Sequence, residues 1–380
     1  MDIREYLARG KCYFSLRKYF AKNVLRTNHN KTAIFSYLTR PFIASISNRH
    51  SNLIEAREIA HILDELGYNV DVVQYNSPFE KLKGLPDKCD LLFGVEPNYI
   101  DLVAKYPSAK KIYYGTGANC RFQNQAEEAR ILDVQKRKGT KLLRRRKVLD
   151  HRASNISDAV ILIGNKWTKS TYAGKAKQVE LVNVSAVPVS DVKKLLSDKN
   201  FSQAKKSFLW FGSVGAVHKG LDLLLDVFAS RPELQLYICG AVENELDFVS
   251  LYKKELYETE NIHLVGWVDA KSKKFQSIIN SCAYTILPSC SEGMSSSVAT
   301  CMMAGLIPVI SEETGVDMNG IGIAINDLSP GGVSKAIDQA SKLSTSEVKR
   351  RSSESLHLAE KEFGIENFSN MMSRALKKLL

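Results

Sequence analysis

From residue 32 onward the chain alternates short runs of β-branched and aromatic residues with longer stretches of helical period. The strand-like runs are TAIFSYL (32–38), NVDVVQY (69–75), DLLFGV (90–95), KIYYGTG (111–117), AVILIG (159–164) and VELVNV (179–184). A second series follows residue 207: SFLWFGS, then LQLYICG (234–240), IHLVGWV (262–268), AYTILPS (283–289), LIPVIS (306–311) and GIAIND (322–327). Strands alternating with helices predict parallel βα units. Between the first two runs, residues 53–67 place Ile54, Ile59, Ile62, Leu63 and Leu66 on one helical face and stop at Gly67.

Between the two series lies SDVKKLLSDKNFSQAKK (190–206), polar and lysine-rich, which reads as the linker. The pattern therefore predicts an α/β protein of two Rossmann-like domains, 1–200 and 201–380. The closing stretch ENFSNMMSRALKKLL reads as an amphipathic helix, expected to pack back on the first domain. No short-period repeat points to a solenoid.

Composition narrows the class. With 44% apolar and 25% charged residues over 380 positions, the chain has the makeup of a globular protein with two ordinary cores. Its longest apolar runs are far shorter than the ~20 residues a spanning helix needs. The opening residues, with Asp2 and Glu5, do not read as a secretory signal. Seven scattered cysteines without a CxxC pair suit neither a disulfide framework nor a zinc site. A cytoplasmic location is the expectation.

Charge is uneven. Residues 1–200 carry 35 Lys+Arg against 20 Asp+Glu, and residues 201–380 carry 18 against 21, so a half at +15 stands beside one at −3. The surplus concentrates in two places. One is an N-terminal arm in which Tyr6, Tyr13, Phe14, Leu16, Tyr19, Phe20 and Val24 interleave with Arg and Lys at helical spacing. That is the chemistry of an interfacial helix, or of one packed on the first domain. The other is Lys136 to Arg152, including RRRK at 144–147, within a stretch (121–152) that reads as helical. It is expected to be a solvated face or to meet an anionic acceptor or a phospholipid surface at the inner face of the membrane. No nucleic-acid-reading motif accompanies the charge, so a nucleic-acid partner is not expected.

Two segments carry candidate chemistry. In FLWFGSVGAVHKGLDLLLDVF (208–228) a strand runs into a glycine turn and a helix, with Gly212 and Gly215 permitting close backbone approach and Lys219 placed to reach an anion. There is neither a Walker loop nor a GxGxxG fingerprint. In SCSEGMSSSVATCMMAGLIPVIS (289–311) a polar turn with Glu292 and Gly293 leads into a helix whose first turn holds Ser295, Ser296 and Ser297. Such a helix start suits a diphosphate, although a plain serine cap has the same look.

In this order and spacing the two segments resemble the C-terminal domain of the group 1 (family 4-like) retaining glycosyltransferases of the GT-B fold. The resemblance is good over about 207–330, while the first half fits in layout. It implies two Rossmann-like domains facing a central cleft and transfer of a hexose-type unit from a nucleotide diphosphate sugar to a surface-polysaccharide or lipid-linked acceptor. It further implies that Gly212 and Ser213 belong to the donor turn, that Lys219 contacts the β-phosphate and that Glu292 holds the donor sugar, Lys219 and Glu292 being the catalytic candidates. Gly293, Met294, Ser295 and Ser296 would supply backbone donors, and Trp267 in GWVD (266–269) would flank the base. No cofactor beyond the donor substrate is implied, nor is a metal, since no Asp-x-Asp pair is present.

The departures from the family pattern are specific. Ser213 stands where an Arg is usual, and Thr300 where a second Glu would hold the ribose hydroxyls. Asn119 lies near the family's first-domain histidine position. His50 and Asn52, ahead of the first long helix, are with Asn119 the acceptor-side candidates. The two missing charges also suit an alternative, a non-catalytic nucleotide-sugar or glycan-binding protein of the same fold.

Overall fold

The computed structural model describes residues 18–44 and 50–380, and residues 1–17 of the arm lie outside it. The first sheet is built from β1 (Phe20–Ala21), β2 (Lys31–Tyr37), β3 (Tyr68–Gln74), β4 (Leu91–Gly94), β5 (Lys110–Gly115), β6 (Ala159–Ile163) and β7 (Val179–Val182). Its order is β1-β3-β2-β4-β5-β6-β7, parallel throughout except for β1, which pairs antiparallel with β3. The second sheet comprises β8 (Ser207–Phe211), β9 (Gln235–Cys239), β10 (Ile262–Gly266), β11 (Tyr284–Leu287), β12 (Ile307–Ser311) and β13 (Ile323–Ile325). It is fully parallel in the order β10-β9-β8-β11-β12-β13. Strands covered on both faces must be apolar along their length, which is why runs such as AVILI and YTIL are wholly buried. The chain thus folds as two Rossmann-like domains in the GT-B arrangement.

Six helices matter for the site: α1 (Ser51–Glu65), α2 (Cys120–Lys138), α3 (Leu221–Phe228), α4 (Ser296–Met303), α5 (Thr345–Phe363) and α6 (Ile365–Leu379). In the second sheet the order reverses between β8 and β11, and ligands of doubly wound sheets bind beyond the strand ends at such a switch point. The glycine turn leaves β8 and the Glu292 turn leaves β11, so both candidate segments meet there. The last helix, α6, leaves α5 at Gly364 and packs on α1 and β7 of the first domain, burying Phe368, Met372, Ala375, Leu376 and Leu379.

Three expectations are corrected. Residues 190–206 are not a free linker: 192–198 and 201–204 are short helices, and the buried Lys199 donates to the Cys282 carbonyl at 2.9 Å. The chain crosses earlier, at 184–187, where successive amides are tied to Met294, Glu55, Phe363 and Thr300. The described end of the arm is not helical. Phe20 and Ala21 add a strand to β3, and the Asn23 side chain then closes a turn by donating to the Thr27 carbonyl (2.7 Å) and accepting from its amide (3.1 Å). Finally, the helix expected over 121–152 stops at Gly139, whose φ of 73° ends it in the left-handed conformation.

That last change redefines the basic segment. Beyond Gly139 the chain runs irregularly, and the cations of α2 and of this run find carboxylates, most of them on the second domain. Arg130 and Arg137 converge on the fully buried Asp222, Arg130 at 2.6 Å. Arg137 and Lys138 share Asp226, Arg144 pairs with Glu127, and Arg145 with Asp247. Only Lys136, Lys141, Lys147 and Arg152 of the stretch are well exposed. The expected solvated face is largely a domain-docking surface.

Candidate active site in the interdomain cleft

The glycine turn is shaped by residues far from it. The Trp210 indole, fully buried in β8, donates to the Lys219 carbonyl at 3.1 Å. Glu245 accepts from the amides of Gly215 (2.6 Å) and Ala216 (3.1 Å), satisfying two donors that would otherwise be open. Sequence reasoning missed Glu245, because its contact is 30 residues distant and no local pattern marks it.

Lys219 and Glu292 are brought together as an ion pair, both largely buried. Burial would raise the Glu292 carboxyl, but the nearby positive charges, Lys219 first and Arg146 with it, outweigh it and bring it down to about 2. Glu292 is therefore an anion at any working pH. Ser289 Oγ donates to it at 3.1 Å. His218 is pushed down to about 4, chiefly by burial, so its ring is neutral. Its Nε2 faces the Ser291 carbonyl, which only accepts, so Nε2 carries the proton and Nδ1 is left to accept from Cys290 Sγ at 3.7 Å.

Gly293 sits where the domains touch. A Cβ there would lie 2.7 Å from the carbonyl oxygens of Ile163 and Thr116, at the ends of the first sheet, so no larger residue fits. Its own carbonyl accepts from Thr168 Oγ1 of the first domain at 2.6 Å. Of the amides expected as donors, Ser295 is spent on the Thr314 carbonyl (2.9 Å). Met294 is buried, with its sulfur against the Val184 amide.

At the glycine turn, where a Cβ on Gly212 would lie 3.2 Å from Lys219 Cδ, a cavity of ≈ 290 Å³ opens between the domains, with neither Lys219 nor Glu292 among its lining residues. His50 and Asn52 line it from the start of α1, and Gly212, Ser213, Trp267 and Ser296 from the second domain. Trp267 is 56% exposed at its edge, open to stack on a flat ring. Two candidates lie elsewhere. Thr300 is buried in α4 with its hydroxyl accepting from the Val187 amide at 3.2 Å, so it holds the crossing segment and does not line the cavity. Asn119 caps α2, accepting from the Arg121 amide (3.2 Å) and Lys175 Nζ (3.1 Å), and lines a separate, polar cavity of ≈ 350 Å³. Among the described residues no group of acidic, histidine and cysteine side chains is arranged to hold a metal, and no helix is long and apolar enough to cross a membrane.

Residues 205–342 match the family described as glycosyl transferases group 1. The match lies wholly within the second domain and marks a stretch similar to group 1 glycosyltransferases. The matched span contains both candidate segments, the Lys219–Glu292 pair and Trp267. No curated protein matches the chain by sequence. Solved structures match over nearly its whole length. A sucrose-phosphate synthase from Thermosynechococcus elongatus superposes with a TM-score of 0.64 at 15% identity, covering 92% of this chain and 98% of that one. The Anabaena protein HepE, solved in complex with UDP-glucose, gives 0.60 at 12%, covering 92% and 99%. WaaG, a glycosyltransferase involved in lipopolysaccharide biosynthesis, gives 0.56 at 12%, covering 92% and 99%. At such identities these neighbours establish the shared GT-B fold of two Rossmann-like domains.

Proposed function

We propose that this protein transfers a hexose-type unit from a nucleotide diphosphate sugar to a glycan or lipid-linked acceptor. The observation that carries the reading is the buried Lys219–Glu292 pair at the switch point of the domain that carries the group 1 match, with the glycine turn opening on an interdomain cavity edged by an exposed Trp267. In this reading the base lies against Trp267, the diphosphate meets Lys219, and ionised Glu292 accepts hydrogen bonds from hydroxyls of the donor sugar. Catalysis rests on stabilising the departing diphosphate by fixed positive charge, which needs no metal. The acceptor enters past His50 and Asn52, and retention of configuration accompanies the family. Crystals of HepE with UDP-glucose and of an Escherichia coli trehalose-6-phosphate protein with UDP-2-fluoro glucose support a uridine donor as the first to try.

The test is a thermal-shift screen against UDP-, GDP-, CMP- and dTDP-sugars followed by a turnover assay with the sugar that shifts. A ligand bound only by the folded chain raises its melting temperature. No shift with any of them would sink the donor reading, and a shift without glycosyl transfer or donor hydrolysis would favour the non-catalytic binder. We further propose a cytoplasmic location with peripheral contact to anionic membrane through the exposed cations of the first half. Sedimentation with anionic vesicles at low salt, lost on adding salt, is the expected result, and its absence at low salt would remove the membrane contact.

A further inference from the structure

Among the cations that run from α2 along the second domain, one stands apart. Arg130, Arg137, Lys138, Arg144 and Arg145 each face a carboxylate. Arg146 does not: among the described residues its guanidinium has neither an ion pair nor a hydrogen bond, and its Nε is buried without a partner. A buried, unpartnered guanidinium nitrogen is costly unless something supplies an acceptor. Its backbone is nonetheless held firmly, the amide donating to Glu127 Oε1 at 2.7 Å and the carbonyl accepting from Gln123 Nε2 at 2.6 Å.

The side chain lies on the donor turn of the other domain. A Cβ at Gly215, where φ is 101°, would lie 2.7 Å from Arg146 Cγ and 3.2 Å from its Cδ, with His218 Cβ at 3.3 Å. Gly215 is thus the residue that lets this arginine in. Arg146 also lines a cavity of ≈ 330 Å³ with Thr116, Gly117 and His151, and two of these three, Thr116 and Gly117, abut Gly293. Charge gives the placement a consequence. Lys219 and Glu292 cancel, His218 is neutral and Ser213 brings no charge to the turn. Without a further cation the side chains named here offer a diphosphate no net positive charge.

We propose that Arg146, contributed by the first domain, is the second cation of the donor diphosphate site. The inference rests on the glycosyl-transfer reading above. A guanidinium binds phosphate oxygens through paired N–H groups, so a diphosphate held by Lys219 from one domain and Arg146 from the other also locks the cleft.

The test is calorimetric titration of the full chain with UDP, GDP, CDP and dTDP, then of variants with whichever binds. Arg146→Ala should weaken that nucleoside diphosphate about 10–100-fold, the equivalent of a lost charged hydrogen-bond pair, while leaving the free nucleoside unchanged. Arg146→Lys should retain part of the affinity, and adding Ser213→Arg to Arg146→Ala should restore some of it. Lys136→Ala, exposed on α2 and lining none of these cavities, should bind as the parent does. If the parent binds none of the four, the donor reading itself falls and this proposal with it. If the parent binds and Arg146→Ala binds equally well, Arg146 alone is excluded. Equal loss of nucleoside and diphosphate, with no rescue by Ser213→Arg, would show that Arg146 only shapes the turn.

Discussion

Lys219 and Glu292 are held by one another, yet the two positions predict different losses. Lys219 is 5% exposed and supplies the second domain's cation to the donor turn. Lys219→Ala should therefore cost about 2–5 kcal/mol of nucleoside diphosphate binding, because it removes a buried charge partner and leaves Glu292 unpaired. Unchanged affinity by calorimetry would dismiss the assignment. Glu292, an anion near pKa 2, is placed to act on the sugar. Glu292→Gln keeps the shape and should lower kcat far more than it lowers affinity for the free nucleotide. Equal losses would make it a structural residue. These two residues were readable because each belongs to a local strand-turn-helix signature. Thr300 was not, because what uses its side chain, the Val187 amide, comes from elsewhere in the chain, and Asn119, a local helix cap, is also held by the distant Lys175.

The helix α1 and the crossing segment meet at Glu55, which accepts from both the amide (2.7 Å) and the hydroxyl (2.9 Å) of Ser185. Burial raises its carboxyl from 4.5 to about 7, against the lowering effect of those two bonds. A folded-state value above the unfolded one means that the folded chain binds the extra proton between pH 4.5 and 7. The stabilising contribution is therefore present below about pH 4.5 and is lost as pH rises through 7, a change on the order of 3 kcal/mol. Glu55→Gln should remove that slope and raise the stability at pH 8, as read from urea unfolding at pH 5 and pH 8. Parallel pH dependence in both proteins would contradict the assignment. The helix face itself was legible from Ile59, Ile62 and Leu63, but the carboxyl's partner was not. Likewise aromatic spacing favoured a helix at Tyr19, Phe20 and Val24, whereas pairing with an open edge of the first sheet captured Phe20 and Ala21 as a strand.

At the scale of the whole molecule the domains are tied covalently at the 184–187 crossing and at Gly364, and electrostatically through Asp222. That carboxylate is fully buried between two arginines of the other domain. Removing one partner of a buried ionic cluster leaves the others uncompensated, so Asp222→Ala should destabilise the protein by about 3–5 kcal/mol in urea unfolding. A loss below 1 kcal/mol would mean that the cluster does not hold the domains. The same cluster explains why half the chain carries +15 and the other −3: much of the surplus is spent on the partner domain rather than on solvent or membrane.

The sequence by itself determined the elements and the two motifs, since strand and helix periods and strand-turn-helix signatures are properties of neighbours along the chain. Helical period puts Arg130, Asp133 and Arg137 on one side of α2, and Asp222 and Asp226 on one side of α3, but does not say that either side docks. That these faces meet, across 92 and 89 residues of chain, was decided by the tertiary structure. So were the cap of Glu245 on the glycine turn, the use of Thr300 as a strut, and the isolation of Arg146 from its paired neighbours. In each case the deciding quantity is which buried charge or amide finds a partner, and burial is a property of the assembled domains, not of any window of residues.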